Sequence, residues 1–295
     1  MKILGIGNSA YDITILVSEY PEENKKIRLE NKVIGCGGGS VSNGSYLLSK
    51  WGVDTTIASV IGKDVYGNKI EEEYRNINLN TKYLEKTDLQ TPTSYIIANT
   101  SNGSRTILID RDKLSFNNIK HIDEDFDYIL ADGGYVDLAY ETIKNNKAIS
   151  LLDAGKKSDD ILKLCEVSDY IVCSNDFAKD YTNIDFSYDD INTIKNVYDK
   201  IQKDFKGLLI ITLESYGAFV KLNEEYHLIP SIKVKALDST GAGDIFHGAL
   251  LYFISQGYDL LDAIKYANIT GAISVTRIGG RNSIPELEEV LNYHE

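Results

Sequence analysis

The 295-residue chain is poor in cysteine, in histidine and in positive charge. Its three cysteines, Cys36, Cys165 and Cys173, offer neither a disulfide framework nor a paired metal spacing. They read as small apolar side chains of a core. The four histidines, His121, His227, His247 and His294, show no ligand spacing, so none is assigned to a metal. Lysine and arginine number 31 against 44 aspartates and glutamates, a net charge of −13. Such a balance argues against a nucleic-acid partner or an anionic membrane surface. No apolar run approaches the ~20 residues of a membrane span. The opening Met1-Lys2-Ile3-Leu4-Gly5-Ile6-Gly7 lacks the plan of a secretory signal and reads as a buried first strand. A cytoplasmic location is therefore expected. Repeats, low-complexity segments and long linkers are missing too. What remains is ordinary for a globular protein, 43% hydrophobic and 25% charged, and long enough for one large α/β domain.

Short apolar runs alternate with stretches of helical period. The runs predict strands at Lys2–Gly7, Thr55–Ile61, Asp127–Ala131, Ala148–Asp153, Tyr170–Cys173 and Leu208–Thr212. The periodic stretches predict helices at Ser42–Trp51, Val65–Asn76, Leu138–Asn145, Asp159–Cys165, Tyr188–Phe205, Asp244–Gln256, Leu260–Thr276 and Pro285–Tyr293. This alternation implies an α/β fold, a mostly parallel central sheet with helices on both faces. Ligands of such sheets bind beyond the carboxyl ends of the strands. Two stretches break the pattern. Residues 12–34 have period-2 texture around a polar tip at Glu22-Glu23-Asn24-Lys25-Lys26. Residues 93–110 read as a hairpin turning at Ser101-Asn102-Gly103-Ser104. The two are expected to form a small β lid on the α/β body, with surface hairpins of the main sheet as the alternative.

The densest chemistry lies in Asp238-Ser239-Thr240-Gly241-Ala242-Gly243-Asp244, which leads straight into an apolar helical run. Glycines let the backbone approach a ligand closely. The first N–H groups of a helix have no internal partner and favour an anion. Asp244 beside them could take a proton from a hydroxyl. Phosphate charge and a base at one point suggest phosphoryl transfer to an alcohol. A plain helix cap with a glycine-rich entry is the competing reading. The turn is no P-loop, since no Gly-Lys-Ser/Thr closes it, and no dinucleotide fingerprint.

This heptapeptide resembles the C-terminal signature of the ribokinase-like, or PfkB-type, carbohydrate kinases, and the resemblance runs over nearly the whole chain. It implies that Asp244 is the catalytic base and that the N–H groups of Gly241, Ala242 and Gly243 form the anion hole. It implies ATP and Mg²⁺ as cofactors, and a lid that closes over a sugar. On the sugar side, Gly38, Gly39 and Asn43 match a Gly-Gly pair followed by an asparagine that meets sugar hydroxyls, and Asp12 matches a sugar-binding aspartate. Val41 is bulkier than the family's usual residue there. Gly62-Lys63-Asp64-Val65-Tyr66-Gly67 also matches, with Asp64 expected to cap the next helix. Short matches around Tyr20-Pro21-Glu22-Glu23, Gly103-Ser104-Arg105-Thr106-Ile107 and Asp176-Phe177-Ala178-Lys179 are similar to ketohexokinases. They turn the substrate expectation toward a ketohexose or a relative.

On the nucleotide side, Thr212, Glu214 and Gly217 resemble the family's turn near ATP, although glycine usually stands where Glu214 does. Asn268 resembles part of the helix lining the adenine cleft. Asp238, Thr240, Gly279 and Ser283 correspond to a segment that surrounds a monovalent cation such as K⁺ in some members, while Gly279 alone could be a helix C-cap. Many members carry Asn-x-x-Glu to organise Mg²⁺; here Asn175 is followed by Ala178 in the glutamate's place. The resemblance also implies a homodimer joined through the lids. Two other functions stay open: a nucleoside kinase, and a sugar-binding sensor with weak turnover.

Overall fold

The computed structural model describes residues 1–29, 33–110 and 112–293. In its first half the elements are β1 (Lys2–Ile6), β2 (Ala10–Val17), β3 (Ile34–Gly38), α1 (Ser40–Lys50), β4 (Asp54–Gly62), α2 (Val65–Asn76), β5 (Asn80–Thr87), β6 (Thr93–Asn99), β7 (Arg105–Asp110) and β8 (Tyr128–Ala131). Then come α3 (Val136–Asn145), β9 (Ile149–Ala154), α4 (Asp159–Cys165), β10 (Tyr170–Ser174), α5 (Asn175–Thr182), α6 (Ile191–Gln202) and β11 (Leu208–Thr212). The chain continues through β12 (Ala218–Leu222), β13 (Glu225–Ile229), α7 (Ala242–Ser255), α8 (Leu260–Ser274) and α9 (Leu287–Leu291). No helix among the described residues is long and apolar enough to cross a membrane.

Among the described residues, nine strands form one sheet in the order β13-β12-β11-β10-β9-β8-β1-β4-β5. From β11 to β5 all neighbours are parallel, and β12 and β13 close one edge antiparallel. Strand residues alternate between two cores. Ile3, Leu130, Leu151, Val172 and Ile210 pack with Leu47, Leu250 and Ile264 of α1, α7 and α8. Their neighbours Leu4, Ile129, Leu152, Ile171 and Ile211 pack with Leu164, Phe177 and Val197 of α4, α5 and α6. Strands buried on both faces explain why these segments read as unbroken apolar runs. Each buried Leu or Ile contributes roughly 1.5–3 kcal/mol, and truncating one to Ala would cost about 2–5 kcal/mol. The order of strands reverses where β1 lies between β8 and β4, and the ends of β1, β8 and β9 converge there. A ligand crevice belongs at such a point.

The second sheet has the order β3-β2-β6-β7. β6 and β7 form the hairpin expected at 93–110, and Asn99 accepts from the N–H groups of Ser101 and Gly103 at 2.9 and 2.8 Å in its turn. The other lid segment differs from its period-2 reading. β2 begins at Ala10 and includes Asp12, residues 18–29 form no strand, and residues 30–32 lie outside the described residues. Helix α6 starts at Ile191 rather than Tyr188 because Asp190 caps it, accepting from Thr193 N at 3.1 Å. Asp64 caps α2 as expected, accepting from the N–H groups of Tyr66 and Gly67. Strand β5, helix α5 and the β12–β13 hairpin were not anticipated.

Candidate active site

Helix α7 begins with Gly241 at φ 74°, a left-handed conformation that an L side chain resists. A Cβ there would also press on Gly280 Cα at 3.1 Å. The turn leaves Gly243 exposed, with nothing within 4 Å of where its Cβ would stand. Among the described residues, the N–H groups of Gly241, Gly243 and Asp244 have no backbone acceptor, whereas Ala242 N reaches Ser239 O at 3.4 Å. Open donors at a helix start are what an anion requires. Asp244 sits in this first turn, half-buried, and its Oδ2 accepts from Asn43 Nδ2 at 2.9 Å. Burial first, then the charge of Asp153, push its carboxyl up to about 6, against Asn43 and His247. A base of that strength is ionised at neutral pH yet basic enough to take a proton.

The residues expected on the sugar side come together near Asp244. Asp12 is buried in β2, opposite Cys36 of β3 and Ser94 of β6. Gly38 makes room for it, since any Cβ at Gly38 would collide with the Asp12 carboxylate. Burial raises the Asp12 pKa, while the Ser94 hydroxyl and Arg281 oppose the rise. Gly39 precedes α1, which places Asn43 against Asp244 and leaves Asn43 Oδ1 buried with no partner among the described residues.

Asp238 works as a clamp. Its Oδ1 accepts from Thr240 N at 2.9 Å and Thr240 Oγ1 at 2.6 Å, and its Oδ2 accepts from Gly279 N at 2.8 Å. Ser283 donates from its backbone to Gly279 O at 2.9 Å and from its hydroxyl to Gly280 O at 2.7 Å. The four residues expected around a cation thus adjoin one another. Asp238 Oδ2 accepts no other hydrogen bond among the described residues. The C-cap reading of Gly279 fails, because α8 ends at Ser274. At the position of the expected Mg²⁺ motif, Ala178 is fully buried and Asn175 donates to the Tyr188 hydroxyl. No group of three potential metal ligands occurs among the described residues.

The residues expected on the nucleotide side lie at and after the end of β11 and on α8. Thr212 ends β11, its hydroxyl donating to Cys173 O at 3.3 Å. Glu214 is exposed at φ 51°, a backbone that suits the glycine usual there. Gly217 packs where a side chain would strike Ser231 N at 2.7 Å. Asn268 is buried and spends its amide on Ile229 O at 2.9 Å, tying α8 to the end of β13.

Several site residues escaped sequence reasoning. A cleft of about 1180 Å³ opens between β6 and the ends of β1, β8 and β9, with Asn8, Gly39, Ser94, Asp132 and Asp153 on its wall. Asp244 is not on that wall; His247, three residues further along α7, places its Nδ1 3.2 Å from Asp153 Oδ2. Burial pushes the Asp132 carboxyl up to about 7, despite hydrogen bonds from backbone N–H groups. Asp132 follows β8 and Asp153 stands near the end of β9, both strands that the sequence predicts, and that position was the signal for them. Arg281 gave no signal at all. Its guanidinium is 3% exposed, stacked 4.8 and 5.0 Å from the rings of Tyr46 and Tyr74. It donates to Glu73 at 2.6 Å and to Ser42, and Glu73 accepts from Gly37 N at 2.9 Å.

Residues 2–287 match the family profile described as pfkB family carbohydrate kinase. Ribokinase of Staphylococcus aureus (strain COL) is 25% identical, over 98% of this chain and 98% of its own. Deoxyribokinase of Salmonella typhi is 24% identical over 99% of this chain and 98% of its own. The structure of Arabidopsis thaliana ribokinase complexed with ribose and ATP has a TM-score of 0.80 at 18% identity, covering 98% of this chain and 97% of that one. At that identity the structural likeness is one of fold.

Proposed function

The chain belongs to the pfkB family of carbohydrate kinases, ATP-dependent enzymes, and on that premise we propose that it phosphorylates a hydroxyl of a ketohexose or closely related sugar. The observation that carries the reading is Asp244 in the first turn of α7, hydrogen-bonded to Asn43 beside open N–H donors. Asp244 takes the proton of the sugar hydroxyl as its oxygen bonds to the γ-phosphorus of ATP. The bond from that phosphorus to the bridging oxygen breaks, and ADP leaves with the electron pair. The N–H groups of Gly241 and Gly243, assisted by Ala242, neutralise charge on the transferring group. Asp12, Gly38, Gly39 and Asn43 hold the sugar. Thr212, Glu214, Gly217 and Asn268 border the nucleotide.

Mg²⁺ would arrive on the ATP phosphates, because no protein cluster among the described residues is built for it. The loops clamped by Asp238 are the place for a monovalent cation such as K⁺. We read residues 1–295 as one kinase domain with a β lid, working in the cytoplasm as a homodimer through the lids.

A coupled ADP-release assay across ketohexoses, aldohexoses, ribose, deoxyribose, amino sugars and nucleosides tests the substrate. The expected order places ketoses above nucleosides. Preference for adenosine with no activity on any ketose would overturn it. Sugar binding without ADP release under any condition would identify a sensor instead.

A further inference from the structure

Two carboxylates on the cleft wall differ in what they have left to bind. Asp132 accepts from Gly134 N at 2.6 Å, Asn8 N at 3.3 Å and Val41 N at 3.4 Å. Asp153 stands near the end of β9 with its side chain 10% exposed. Apart from His247, no donor among the described residues reaches its carboxylate. A buried carboxylate short of donors is costly unless something supplies them. The His247 ring is buried on α7 and does not line the cleft, and neither of its nitrogens has an aligned hydrogen bond among the described residues. Burial disfavours its imidazolium, but Asp153 outweighs burial and raises its pKa. His247 and Asp244 are three residues apart, on one face of α7. The Asp153 charge also acts directly on Asp244, so a group bound to Asp153 in the cleft lies near Asp244.

We propose that Asp153 is a further substrate-binding residue, accepting a hydrogen bond from a sugar hydroxyl near the reacting one, with His247 as the positioning residue behind it. The inference rests on the sugar-kinase reading and adds to it a requirement on the substrate: a second free hydroxyl beside the phosphorylated position. An acceptor with no other donor distinguishes sugars that carry this hydroxyl from those that lack it, because the unpaired carboxylate would stay buried.

The test compares wild type with Asp153→Asn, Asp153→Ala and His247→Gln, using the best sugar of the panel and its single-deoxy analogues. Asp153→Ala should raise the sugar KM about 10–100-fold, the size of a lost hydrogen bond to a charged group, with the ATP KM within about threefold. One deoxy analogue should bind wild type poorly, yet show no further loss in Asp153→Ala. His247→Gln should raise the sugar KM less, and not at all in the Asp153→Ala background, as coupled residues do. Asp153→Asn keeps the volume and one acceptor; should the alanine variant fail to fold, its smaller KM rise and the same deoxy pattern decide the matter. An unchanged sugar KM in a folded, active Asp153 variant overturns this proposal alone. A joint rise of the sugar and ATP KM, with no deoxy analogue spared, overturns it as well. Wild type without any sugar-dependent ADP release overturns the kinase reading along with it.

Discussion

In the proposed reaction Asp244 holds two opposed roles. A carboxylate with its pKa raised to about 6 is a competent base at neutral pH, and the same burial makes it costly to ionise. As pH falls through about 6, the proton returns and the base is lost. The acid side of the kcat profile should therefore bend near that value, measured at saturating sugar and ATP. For stability, the unfolded carboxyl at 3.8 releases its proton first. Between roughly pH 4 and 6 the folded state binds more protons, so stability falls as pH rises through that window. Asp244→Asn should lower kcat about 10²–10⁴-fold, the usual value of a general base, while the sugar KM stays near wild type. Its melting temperature should exceed wild type at pH 8, and the gain should shrink toward pH 5. Turnover within a few-fold of wild type would remove Asp244 from catalysis. The start of α7 was legible because its signal is local, a glycine turn joined to an apolar helix. Arg281 was not, since its meaning comes from Glu73, 208 residues away in the chain.

The β6–β7 hairpin and the turn that leads into α7 are joined. Arg105 at the start of β7 donates to Ser239 O at 2.8 Å and also to the Ser239 hydroxyl. That hydroxyl donates to Gly103 O at 3.2 Å. The hairpin tip thus rests on the loop that leads into α7, while β2 of the same sheet carries Asp12. Arg105→Ala should speed amide exchange at Gly103 and Ser104 and lower kcat/KM several-fold. The contact is surface-exposed and worth at most ~1 kcal/mol, so the global melting temperature should move by no more than about 4 °C. Unchanged exchange at the tip would show that the contact does not hold the lid. A second element-level tie is Arg281, which links the loop after α8 to Gly37 through Glu73. Arg281→Met should destabilise the protein by about 1–3 kcal/mol, because Glu73 keeps its charge and loses its partner. Denaturant unfolding measures that loss, and the sugar KM should rise with it as β3 loosens. The β6–β7 hairpin was legible from Asn102-Gly103. The β12–β13 hairpin was not, because Asn223 and Glu224 make its turn at positive φ without a glycine.

At the scale of the whole molecule, the lid leaves apolar surface uncovered. Every residue of β7 is exposed, and it is an edge of its sheet. Ile107, Leu108 and Ile109 are 42%, 55% and 60% exposed. A strand edge with exposed aliphatic residues is a ready pairing surface, and a small sheet gains stability from being covered. The alternation of the hairpin was readable in the sequence, but which of its faces lacks a cover was not, since that depends on how the lid stands against the body. A net charge of −13 opposes association, though at physiological salt repulsion is screened beyond about 8 Å. We expect a dimer in which the lids of two copies pack together. Light scattering at micromolar concentration should report twice the 32.9 kDa of one chain. Replacing Ile107 with lysine puts a like charge into that contact and leaves both protein cores and the cleft lining untouched. The variant should run as a monomer with wild-type circular dichroism. Because Arg105, at the start of the same strand, rests on Ser239, losing the partner should also loosen the hairpin and lower kcat/KM. A wild-type protein that scatters as a monomer at that concentration, where specific interfaces normally persist, would end the dimer reading and leave β7 as a bare edge.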